Sequence, residues 1–202
     1  MSLGPRAARS LFRLGAVGGF YAAAVAIPFG VMAFFFIWAP PILYRWWILP
    51  VIFSSALLLH SFAFYGLWRY YHTKSSAGAF ACGLAAALLM LATGVIASGP
   101  CGTYEYPCYR GIPGSTMLVF VVGIVMLGVM SVAEGASFFG IRRFVYVSQE
   151  AYGAGVLSVV AGGFLSSIAL AFLGGFFVLA TSFVLGGAVL IKASPPEGSR
   201  KG

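Results

Sequence analysis

Long apolar runs separated by short polar segments dominate the chain. Four of these runs, between residues 16 and 141, have about the 20 residues that an α-helix needs to cross a bilayer. Polar segments that contain Arg45, Arg69 and Arg110 separate them. The pattern predicts transmembrane helices, because a helix on the surface of a water-soluble protein would have one apolar face and one polar face. The four predicted spans lie near residues 16–39, 47–68, 77–98 and 115–141.

The apolar stretch from Ala151 to Ala193 is too long for one membrane helix. Its 43 residues would form a helix of about 65 Å, whereas the hydrocarbon core is about 30 Å thick. Gly174 and Gly175 predict a turn between two spans, near residues 152–173 and 176–192. The sequence therefore predicts an all-α integral membrane protein. Its six-transmembrane-helix bundle forms a single polytopic domain over residues 1–202, with short tails at 1–15 and 193–202.

The distribution of basic residues predicts the orientation of this bundle. Cytoplasmic segments of membrane proteins carry an excess of Lys and Arg. With six spans and a cytoplasmic N-terminus, only Arg45 and Arg110 fall outside, whereas five spans would also move three more basic residues outside. We therefore expect a multi-pass protein of the plasma (cytoplasmic) membrane with both termini cytoplasmic. The predicted cytoplasmic residues are Arg6, Arg9, Arg13, Arg69, Lys74, Arg142, Arg143, Lys192, Arg200 and Lys201.

Composition agrees with a membrane environment and narrows the expected partners. The chain is 61% hydrophobic and 8% charged, which is too few charges to cover a water-facing surface. The net charge of +8 does not indicate nucleic-acid binding, because the basic residues lie between apolar runs, where membrane topology places them. The expected partners are the lipid bilayer and other membrane subunits or a second copy of this chain.

A faint internal repeat relates two of the predicted spans. The segment HSFAFYGLWRYYH from His60 resembles EGASFFGIRRFVY from Glu134, 74 residues later. Both segments end predicted helices that run in the same direction. One interpretation is a bundle built from duplicated helical hairpins, and the other is chance resemblance in an apolar chain. The sixth predicted helix does not clearly repeat the pattern.

His60 and Glu134 are the main candidates for an intramembrane site. They occupy equivalent positions in the repeat, and each lies nine residues before an arginine, Arg69 or Arg143, which places both near the bilayer midplane. Ionisable residues inside a membrane are costly and are candidates for function. Two interpretations stay open: a working site for a proton, an ion or a small solute, or a buried contact that holds helices together. The candidate polar site consists of His60, Glu134, Ser61, Ser131 and Ser137.

The longest predicted outer loop, SGPCGTYEYPCYRGIPG, contains two of the three cysteines. Cys101 and Cys108 would lie in an oxidising compartment, which favours a disulfide that holds the loop together. The alternative is a redox-active pair that passes electrons to quinone. Such pairs usually have the closer Cys-x-x-Cys spacing and a second pair to relay electrons. Cys82 is the only other cysteine and is expected to pack inside the third helix.

The sequence contains no recognisable catalytic or cofactor-binding arrangement. His60 and His72 lie on one segment about 18 Å apart, so they cannot bind one haem between them, and no span offers the ligands of a zinc site. The GAVGGF segment at Gly15 lacks the strand context of a phosphate loop. We therefore expect no catalytic residues, no metal and no cofactor.

Three classes of function remain after these exclusions. The first is a non-catalytic integral subunit or scaffold of a larger membrane complex. The alternative is a small proton- or cation-linked transporter or channel that works through His60 and Glu134. A membrane thiol/quinone redox protein is a remote third alternative, because it would depend on the widely spaced Cys101 and Cys108.

Overall fold

The computed structural model describes residues 3–38, 47–98, 114–142, 148–167 and 174–195. Within these ranges the chain forms six α-helices and no β-strand, which confirms the all-helical prediction for this part of the protein. The predicted disulfide between Cys101 and Cys108 falls outside the described residues. The helices are α1 (Pro5–Trp38), α2 (Ile48–Tyr71), α3 (Lys74–Ala97), α4 (Gly114–Ile141), α5 (Ser148–Ser166) and α6 (Phe176–Lys192).

Four of the described helices are long and apolar enough to cross a membrane. These segments are Pro5–Met32, Ile48–Tyr71, Lys74–Ala97 and Ser115–Ile141, and α6 is a shorter apolar helix of 17 residues. Large apolar side chains also cover their outer faces. Leu88 and Leu118, for example, are each 64% exposed. Such a surface fits contact with lipid, so the helices are those of a membrane protein.

The first helix begins earlier than its apolar run predicts. It starts at Pro5 rather than near residue 16, so most of the predicted tail at 1–15 is helical. Proline is favourable in the first turn of a helix, where its missing N–H has no partner to lose. Phe12 is completely buried and stacks on Tyr71, with ring centroids 6.1 Å apart. Packing against α2 therefore continues the helix beyond the segment that hydropathy selects.

The two glycines predicted to separate the last two helices lie at the start of α6. Gly174 has a φ of 132°, a conformation that is open to glycine and strained for other residues. The preceding helix, α5, ends at Ser166, earlier than the predicted residue 173, and residues 168–173 are not described.

The described helices pack as a closed ring. Each helix packs against its neighbours in chain order, and α6 returns to pack against α1. A smaller contact between α2 and α4 crosses the interior of the ring. The short connection between Tyr71 and Lys74 favours antiparallel packing of α2 and α3. The ring brings the inward faces of α2 and α4 together, and these faces carry His60 and Glu134.

Three contacts fix the C-terminal end of α6 to other helices. Arg9 Nε of α1 donates to Pro195 O at 2.9 Å, and Tyr71 Oη of α2 donates to Ala193 O at 3.0 Å. Lys192 Nζ donates to Glu150 Oε1 of α5 at 2.8 Å. Both members of this ion pair are partly exposed. The chain following α6 therefore lies against the end of the bundle at which α1 begins and α2 ends.

Candidate functional site

His60 and Glu134 contact each other inside the ring. His60 Nε2 lies 3.1 Å from Glu134 Oε1, and both side chains are 0% exposed. The two residues come from α2 and α4, which are separated along the ring by α3. The contact therefore joins opposite sides of the interior. It also joins the two positions that the internal repeat of the sequence makes equivalent.

The second nitrogen of the imidazole defines where its protons lie. His60 Nδ1 is 2.9 Å from Gly15 O. A carbonyl oxygen can only accept, so Nδ1 carries a proton and donates it to α1. Nε2 then either accepts from a protonated Glu134 or donates to its carboxylate. In both cases one proton lies between the two side chains and the pair has no net charge, which reduces its cost in an apolar interior.

The second carboxyl oxygen of Glu134 makes no hydrogen bond to the described part of the chain. Glu134 Oε2 is buried and has no hydrogen-bond partner among the described residues. A buried acceptor without a partner is costly in an apolar interior. The pair therefore combines one shared proton with one unsatisfied oxygen atom.

Aromatic rings surround the imidazole and separate it from water. Phe64 and Phe183 meet it edge to face, with ring centroids 5.2 Å and 5.0 Å away. Phe138 lies one helical turn beyond Glu134 and is completely buried. In this low-dielectric enclosure hydrogen bonds are stronger than in water, and an unpaired polar group is correspondingly costly.

Glycines of α1 allow its backbone to reach the histidine. A Cβ atom at Gly15 would collide with Ala63 Cβ, and one at Gly18 would collide with the backbone N of His60. A Cβ atom at Gly19 would lie 3.0 Å from His60 Nδ1. Small residues at a helix interface permit this close approach. Sequence reasoning missed this contact, which the spacing of small residues in GAVGGF could have indicated.

The helix α6 approaches the site at a glycine, Gly186. A Cβ atom at Gly186 of α6 would lie 3.0 Å from Glu134 Oε1 and 3.1 Å from the ring of Phe138. The backbone of α6 therefore closes the site on the side of the glutamate. Sequence reasoning missed Gly186, because the position of α6 relative to α4 depends on how the ring closes.

The three serines predicted to extend the site form hydrogen bonds within their own helices. Each is buried, but each donates its hydroxyl hydrogen to a carbonyl four residues earlier in its own helix. A serine has one hydrogen to donate, so none of these hydroxyls donates to the His60–Glu134 pair. The bonds are from Ser61 to Leu57 O at 2.7 Å, from Ser131 to Leu127 O at 2.9 Å and from Ser137 to Ala133 O at 2.7 Å.

The contacts between helices at the candidate site centre on the His60–Glu134 pair, with glycines and phenylalanines around it. Within the described ranges, no group of three His, Cys, Asp or Glu side chains is placed to hold a metal ion. Cys82 is a free thiol in α3. No family model matches the chain, and comparisons with curated proteins and with solved structures also give no match.

Proposed function

We propose that the protein is a non-catalytic multi-pass membrane protein that serves as an integral subunit or scaffold of a larger membrane complex. In this proposal all six helices cross the plasma membrane with both termini cytoplasmic. The excess of basic residues on the predicted cytoplasmic side supports this orientation.

One observation carries the proposal: His60 and the three candidate serines form hydrogen bonds to other groups of the chain. His60 bonds to Gly15 and Glu134, and the serines bond to carbonyl groups of their own helices. Polar groups that line a ligand cavity would instead direct donors and acceptors toward the cavity. Hydrogen bonds between membrane helices contribute about 0.6 kcal/mol on average and up to about 1.7 kcal/mol. The pair therefore suits a role in holding α1, α2 and α4 in fixed positions.

Native mass spectrometry of the protein, extracted gently from its own membrane, tests this proposal. Different chains that co-purify in a fixed ratio would support it. A monomer or a homo-oligomer alone would contradict it.

A proton-linked transporter or channel is the second candidate, and the surroundings of Glu134 favour it. The pair contains one proton between two titratable groups, and Glu134 Oε2 is buried without a partner in the described part of the chain. Such a group can take up or release a proton if the bundle opens to either side. Proteoliposomes that contain the purified chain would then show pH-driven proton flux that Glu134→Gln abolishes. In the subunit role the same substitution leaves proton flux at the level of empty liposomes, and any effect is on assembly.

A further inference from the structure

The helices α2, α4 and α6 bury the same pattern of positions. Nine positions are buried at corresponding places in the three helices, if Ala193 directly after α6 is included. The five positions 55, 58, 59, 62 and 65 of α2 have counterparts that are not buried in either of the other helices. The corresponding positions lie 74 residues later in α4 and 126 residues later in α6. The buried positions of α2 are Phe53, Ser54, Ala56, Leu57, His60, Ser61, Ala63, Phe64 and Leu67.

Contacts at the middle of this pattern place the three helices at the same depth. The burial pattern alone shows which face of each helix points inward. It does not fix the alignment along the helix, because the same pattern recurs about every seven residues. The positions that correspond to His60 are Glu134 and Gly186. His60 Nε2 lies 3.1 Å from Glu134 Oε1, and a Cβ atom at Gly186 would lie 3.0 Å from the same oxygen. The three equivalent positions therefore converge on one point.

The contacts that α2 makes with α3 correspond in position to the contacts that α4 makes with α5. Ser54 of α2 bonds to Ala87 O of α3 at 2.7 Å. The matching residue of α4, Gly128, lies against Gly162 O of α5, where a Cβ atom would be 3.0 Å from that oxygen. Moreover, α1 packs between α6 and α2 in the ring, as α3 packs between α2 and α4 and α5 between α4 and α6.

We propose that the bundle consists of three pseudo-equivalent hairpins, α2–α3, α4–α5 and α6–α1, around an axis through a central site with three positions. His60, Glu134 and Gly186 are these positions. Gly186 is a positioning residue: its missing side chain leaves the volume in which the histidine and the glutamate meet. A histidine at position 186 can therefore take over the hydrogen bond to Glu134 when position 60 is vacated. This inference does not depend on whether the chain is a subunit or a transporter.

Exchanging the residues at two of the positions tests the proposal. The thermal midpoint of the full chain in detergent is measured for His60→Gly, for Gly186→His and for the double variant that combines them. Each single variant should be less stable than the native chain, the first because Glu134 loses its partner and the second because the centre is overfilled. The double variant should recover at least half of the midpoint lost by His60→Gly, since the two changes compensate at one site.

Gly187 provides a control with the same composition. It is adjacent to Gly186 but faces α1, where a Cβ atom would lie 3.2 Å from Ala16 O and 3.2 Å from the ring of Phe20. His60→Gly combined with Gly187→His should give no recovery. The proposal is overturned if the double variant at position 186 is no more stable than His60→Gly, or if the control at position 187 recovers equally.

A second measurement does not depend on exchanging histidine and glycine between two positions. In a chain whose native cysteines are replaced by alanine, cysteines are introduced pairwise at positions 60, 134 and 186. Addition of Hg²⁺ followed by intact-mass analysis should find one bridging mercury ion in all three pairs, because a three-position site places each position beside the other two. The pair at positions 60 and 187 should take up much less. Mercury binding by the 60/134 pair without binding by the 60/186 and 134/186 pairs would refute the three-position site.

Discussion

Phe64 and Phe138 meet edge to face across the interior of the bundle, with ring centroids 5.9 Å apart and ring planes inclined by 63°. Each ring lies one helical turn beyond a member of the polar pair, because Phe64 follows His60 and Phe138 follows Glu134 by four residues. The aromatic contact thus covers one side of the hydrogen bond between α2 and α4. It keeps the pair in an apolar environment.

Removing one of these rings should open the polar pair to water. We expect Phe138→Ala to destabilise the protein by about 3–5 kcal/mol, as buried Phe→Ala substitutions do. Infrared spectroscopy in D₂O should also find that the proton shared by His60 and Glu134 exchanges faster than in the native chain. Phe177→Ala is the matched control, because Phe177 is 57% exposed. Equal exchange rates in Phe138→Ala and the native chain would mean that the ring does not shield the pair.

Glutamine should replace Glu134 better than alanine does. The amide of Glu134→Gln can still donate to His60 Nε2, so we expect a change in stability below about 1 kcal/mol. Glu134→Ala and His60→Ala each leave a buried polar partner unpaired and should each cost about 1–3 kcal/mol. The double alanine variant should lose less than the sum, since the two residues share one interaction.

Denaturation of these four variants in detergent, beside the native chain, measures the differences. A Glu134→Gln variant as unstable as Glu134→Ala would contradict this prediction, because it would mean that a neutral donor cannot replace the carboxyl group of Glu134.

Two glycine-to-alanine substitutions distinguish the effect of close helix packing on stability from the effect of helix propensity. Gly15→Ala should destabilise the protein by about 1–3 kcal/mol, because its Cβ atom collides with Ala63 and must push α1 away from α2. Gly78→Ala should be neutral or stabilising by up to about 1 kcal/mol, because nothing lies within 4 Å of the new Cβ atom and alanine is the better helix former. Thermal midpoints of the two variants provide the comparison. Similar midpoints would show that α1 does not pack closely on α2 at His60.

The exposed ion pair between Lys192 and Glu150 should give a small, pH-dependent contribution. The hydrogen bond from Lys192 lowers the pKa of the Glu150 carboxyl below its ordinary value. A group with a lowered pKa stabilises the folded state above its unfolded pKa, and this stabilisation is lost as the pH falls through the folded pKa. Glu150→Gln should therefore reduce the thermal midpoint slightly at neutral pH and have no effect at a pH below the lowered pKa.

Salt provides the check on this prediction. The interaction is exposed on both sides, so raising the ionic strength should reduce the difference between Glu150→Gln and the native chain. A difference that persists in acid and in high salt would have to come from another contact of Glu150.

The sequence by itself determined the secondary structure and the candidate pair. Backbone groups in hydrocarbon must be hydrogen-bonded within their own segment, so long apolar runs with few charges become helices whatever their tertiary contacts. The same scarcity of polar residues made His60 and Glu134 conspicuous, and the repeat of 74 residues matched their positions. The predicted start of the first helix near residue 16 was wrong, since α1 begins at Pro5. Hydropathy does not include tertiary contacts such as the packing of Phe12 on Tyr71, which stabilises this earlier part of the helix.

Only the tertiary structure decided which groups meet and in what state. The contact of His60 with Gly15 O depends on how closely α1 approaches α2, and this contact is what assigns a proton to Nδ1. Gly186 reaches Glu134 only because the ring closes α6 against its neighbours. The serines could not be placed from sequence either, since a carbonyl one turn earlier in the same helix is always within reach of their hydroxyl groups. Helix formation follows from local chemistry, whereas the site depends on distances between helices that lie far apart in the chain.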